Sequence, residues 1–151
     1  MKMLKTMIMA ASVALVAAPM AFPTAAAAQE FPFKAGDYTS VSGIVVKDGG
    51  WLAYAQHLRN SWVKNQEYAK SKGWNTDYKI YVNVDARAGE PDLYLTVTFT
   101  DMVSTVEGER RGKEIREWMS KSIADLEAES GDRAEYRTLS GTMLLQEWLV
   151  R

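Results

Sequence analysis

Residues 78–100 read YKIYVNVDARAGEPDLYLTVTFT. Tyr78, Ile80, Val82 and Val84 alternate with Lys79, Tyr81, Asn83 and Asp85, and Leu93, Leu95, Val97 and Phe99 alternate with Tyr94, Thr96, Thr98 and Thr100. A period of two marks a strand with one face in a core. The connection, Ala86 to Asp92, holds Gly89 and Pro91 and is short enough for a hairpin, so the spacing predicts strands 78–85 and 93–100 paired antiparallel.

On either side of this hairpin the period changes. Upstream, Trp51, Ala55, Leu58, Trp62 and Ala69 fall within one narrow sector at about 100° per residue, which predicts an amphipathic helix over 51–72 with Gly73 as its stop. Before it, residues 38–47 are rich in β-branched types and end in Asp48-Gly49-Gly50, a strand followed by a turn with Asp48 as helix cap. Downstream, Ser104 and Glu107 have the spacing of a capping box. From there Ile115, Met119, Ser122 and Leu126 share a face flanked by Trp118 and Ile123, and the helix is expected to run on to Gly131. Gly108 and Gly112 lie on that face and suggest close approach of the backbone to something packed on it. Residues 137–150 close the chain as a last strand, apolar on both sides at Leu144-Leu145 and Trp148-Leu149-Val150.

The order is β-α-β-β-α-β, the ferredoxin-like α+β arrangement, with a four-stranded antiparallel sheet and two helices on one face. Its other face would carry Tyr81, Asn83, Tyr94, Thr96 and Thr98. A bare, partly aromatic sheet face is most simply covered by a second copy of the chain, so a homodimer is expected.

The N-terminus has Lys2 and Lys5, an apolar run from Met7 to Phe22, and no acid before Glu30. That pattern predicts a signal peptide over 1–28, cleaved after Ala28, with 29–37 as an extended lead-in and 38–151 as a single domain. The expected location is periplasmic or secreted, with no membrane association once the signal is removed. The 151 residues hold no cysteine, and 18 Lys+Arg stand against 19 Asp+Glu. Disulfide scaffolds, thiol chemistry and strongly basic nucleic-acid binding are thereby excluded. With one histidine and no cysteine, no metal site is expected, and no motif calls for a cofactor.

The element order, the stretch Leu52-Ala53-Tyr54-Ala55-Gln56-His57-Leu58-Arg59 leading to Trp62, and the two alternating strands resemble the dimeric α/β-barrel superfamily over about residues 38–150. The likeness extends to its stress-responsive, antibiotic-biosynthesis-type monooxygenase and NIPSNAP branches. The resemblance implies homodimers and, in several branches, a small-molecule cavity between sheet and helices. Haem-degrading members use a histidine on the second helix, whereas His57 falls on the first.

Candidate chemistry is sparse. His57 has the ordinary pKa of a general acid or base, yet the helical wheel turns it away from Trp51, Ala55 and Trp62, toward solvent or a dimer contact. The aromatic load offers a second possibility, with Tyr54, Trp62 and Trp118 lining an apolar cavity and Tyr81 and Asn83 supplying its polar contacts. The expected function is an exported homodimer that binds a small apolar or aromatic molecule. Two alternatives stand beside it: a cofactor-independent monooxygenase or isomerase acting on such a molecule, and an interaction subunit of an envelope complex.

Overall fold

The computed structural model describes residues 30–151. The expected signal peptide, 1–28, and its cleavage point after Ala28 lie outside the described residues. Residues 31–151 form one unit, an α+β fold whose four strands are β1 (Phe33–Val46), β2 (Asp77–Val82), β3 (Leu93–Phe99) and β4 (Arg137–Val150). They lie in the order β2-β3-β1-β4, every neighbouring pair antiparallel, which is compatible with the ferredoxin-like arrangement. The first helix comprises α1 (Trp51–His57), a π-helical turn (Leu58–Trp62) and α2 (Val63–Ser71), followed later by α3 (Thr105–Met119) and α4 (Ile123–Ala134).

The register fixes the two faces of the sheet. Ile44 lies opposite Leu93, Ser42 opposite Leu95, and Leu95 in turn opposite Ile80, so these side chains point to one side. That side carries the core, where Ile44, Val46, Leu93 and Leu95 bury against Tyr54 and Leu58 of the first helix, with Trp62 and Tyr136 packed on them. Tyr81, Tyr94, Thr96 and Thr98 point the other way, together with Val41, Met143 and Leu145.

Several boundaries differ from the sequence expectation. The lead-in is not free of the sheet, because β1 starts at Phe33 and pairs Phe33, Lys34 and Ala35 with Val150, Leu149 and Trp148. β2 stops at Val82: the Asn83 N–H still bonds the Asp92 carbonyl in register, but its side chain turns to the hairpin loop, and Val84 beyond it is 93% exposed. The long second helix is two helices. Ser120 takes a left-handed conformation (φ 54°), the Lys121 N–H closes onto the Arg116 carbonyl, and Ser122 caps a new helix. The close backbone approach expected at Gly108 and Gly112 is missing: a Cβ at either would meet only the ends of the Val103 or Arg116 side chains. The turn after β1 is tighter than Asp48 capping requires. Gly50 occupies the N-cap without a side-chain bond, and a Cβ there would stand 2.5 Å from the Tyr136 carbonyl oxygen.

Candidate functional site

A cavity of about 280 Å³ lies between the sheet and the helices. Ile44, Leu95 and Leu139 form its floor on the sheet; Tyr54 and Trp62 form one wall on the first helix, and Leu126 of α4 forms the other. The polar groups converge from three elements: His57, Ser61 and Asn65 from the first helix, Glu129 and Arg133 from α4, and Arg137 at the start of β4.

The π turn sets this wall. A π turn bonds i to i+5 and packs more residues into each revolution than an α-helix does, so it lags the uniform wheel. The lag carries His57 toward the buried sector and leaves Trp51 and Ala55 exposed. His57 therefore lines the cavity, its ring stacked on Tyr54 with centroids 6.0 Å apart. This differs from the solvent-facing or dimer-contact position expected from an ideal helix.

Two guanidinium groups and one carboxylate line the cavity, which makes it electropositive. Arg133 is only 18% exposed, and its contact with Glu129 is long, at 3.8 Å; the other Glu129 oxygen is held at 2.5 Å by Lys121. The Arg137 Nε is buried and has no hydrogen-bond partner. Burial, reinforced by Arg133 and Arg137, pushes the His57 imidazole down to about 4, so it is neutral at pH 7. Burial also raises the Tyr54 phenol, outweighing the two arginines, and keeps it a neutral hydrogen-bonding group.

Of the five aromatic and polar residues singled out in the sequence, the structure brings two together here, Tyr54 and Trp62. Trp118 stacks on Tyr68 at 4.4 Å and lines an adjoining hollow of about 200 Å³ that shares Ser61 and Asn65 with the cavity. Tyr81 is on the opposite face of the sheet, beside Tyr94. Asn83 belongs to the hairpin loop, where its Nδ2 donates to the Pro91 carbonyl at 3.1 Å and its backbone N–H donates to the Asp92 carbonyl at 2.8 Å. Arg133, Arg137 and Glu129 did not stand out in the sequence. Arg133 and Glu129 share an i, i+4 spacing that also reads as an ordinary solvated pair, and Arg137 simply opens a strand.

Comparison with protein-family models, with curated proteins and with solved structures finds no match for this chain.

Proposed function

We propose that this protein is an exported homodimer of the dimeric α/β-barrel type that binds a small apolar or aromatic molecule in the cavity beneath its helices. The observation that carries the reading is the cavity itself. It is close to the lower end of the ~300–1,000 Å³ usual for small-molecule sites, and it combines apolar walls with a few convergent polar groups. Binding is favoured over turnover by His57, because an imidazole held near 4 accepts a proton poorly at pH 7.

The dimer is supported by apolar surface on the outer side of the sheet and along the edge strand β4. Met143, Leu144, Leu145 and Trp148 are all exposed, and Trp148 gathers Phe31 and Phe33 about it. Exposed apolar surface of this kind is usually covered in solution. Export is supported by the basic, then apolar, then alanine-rich N-terminus.

Native mass spectrometry of the protein recovered from the periplasm or medium tests all three parts. The expected result is a mass of two chains beginning at Gln29, with a small molecule retained. A monomer beginning at Met1 and carrying nothing would overturn the proposal.

A further inference from the structure

The charges in the cavity specify more than an apolar guest. Arg137 opens β4 and lines the cavity together with residues of the first helix, and its Nε is withdrawn from water without a partner. An unpaired buried donor is costly, and more so when it belongs to a charged group. Arg133, one helical turn from the engaged Glu129, adds a second guanidinium to the same wall. Glu129 is the one acid in the lining and is held by Lys121, so it leaves positive charge uncompensated. The same lining includes Trp62, Leu95 and Leu126, which offer an aromatic and aliphatic slot with no charge.

We propose that the cavity takes a small monoanion, a carboxylate carried on an apolar or aromatic body, with Arg137 as its principal charge partner and Arg133 as the second. A guanidinium presents a planar fork of donors that matches the two oxygens of a carboxylate, and such pairs are among the strongest hydrogen bonds in proteins. His57 and Tyr54, both neutral at pH 7, complete the polar end as hydrogen-bonding groups without adding charge of either sign. Carboxylate recognition rests on the cavity being a ligand site.

The test is calorimetric titration of the purified protein at pH 7 with two matched pairs, phenylacetate against phenylacetamide and hexanoate against hexanamide. Each acid is expected to bind at least ten-fold more tightly than its amide. Arg137→Gln is expected to remove most of the acid's advantage over the amide, with the remainder carried by Arg133. Should Arg137→Gln lose its native circular dichroism, Arg133→Gln provides the second variant, with a smaller loss confined to the acids. Equal affinity of acid and amide would overturn the charge assignment and leave the cavity as a neutral site. A preference for acids that survives both substitutions would place the anion elsewhere and also overturn it. No binding of any of the four probes at millimolar concentration would overturn the charge assignment and the cavity reading together.

Discussion

His57 shows how one side chain ties the site to the stability of the domain. In the unfolded chain its imidazole titrates near 6.5, and in the folded cavity near 4, so between these values the unfolded state binds more protons. The stability gained by keeping it neutral is therefore full above pH 6.5 and is lost as the pH falls toward 4. Because the ring is only half withdrawn from water, about 2 kcal/mol is a reasonable scale for that loss, below the full 1.36 kcal/mol per pKa unit. Urea unfolding of wild type and His57→Gln at pH 7 and pH 4.5 checks this: the variant should lose less stability on acidification, and equal losses would contradict the burial of the ring. At Gly43, on the outer face of the sheet, a Cβ would stand 2.6 Å from Pro91 Cγ. Gly43→Ala must push the hairpin loop off β1, where Asp92 binds the Val46 N–H through its carboxylate. A loss of about 1–3 kcal/mol in the same unfolding assay is expected, as for other overpacked sites.

At the scale of elements, the most informative feature is where the second helix breaks. Ser104 does cap α3 by accepting from the Glu107 N–H, but the Glu107 carboxylate turns to Arg110 and Arg111 rather than back to the cap. The reciprocal capping box is at Ser122 and Asp125, a pair hidden within what a single period reads as continuous helix. Ser122→Ala should cost about 1 kcal/mol, the usual worth of such a cap. Ser120→Gly should raise stability by up to about 1 kcal/mol, because a glycine adopts the left-handed closure without strain. Thermal unfolding of both variants checks these effects, and a Ser122→Ala that does not destabilise together with a Ser120→Gly that does would refute the break. The hairpin strands, the order of the elements and the inward face of β3 could be read from the sequence, because alternation and Gly/Pro turns are local signals. The inner ends of α3 and α4 and the π turn could not: both are single-turn departures that leave the apolar period almost intact.

At the scale of the whole molecule, the same limit explains why the site was only partly readable. Tyr54 and Trp62 line the cavity, as aromatics on an amphipathic helix are expected to face inward, whereas Trp51 on the same helix is exposed. Arg133 and Arg137 could not be read, because their meeting with His57 depends on how α4 docks and where β4 begins, neither of which one segment can specify. The sheet leaves two kinds of surface: a helix-covered side with the cavity, and an outer side bearing Val41, Tyr94, Met143 and Leu145. If the outer side is a dimer face, Met143→Asp with Leu145→Asp should produce a soluble monomer in sedimentation analysis while the cavity continues to bind its ligand. If the protein sediments as a monomer already, the covering role of that face is refuted. The two surfaces differ in which of them receives a small molecule. NMR titration with phenylacetate, following the His57 ring, the Trp62 indole and the Leu126 and Leu139 methyls, decides it most directly. Saturable shifts at those signals, with the methyls of Val41, Met143 and Leu145 still, are the predicted result; shifts on the outer face with the cavity signals unmoved would contradict it.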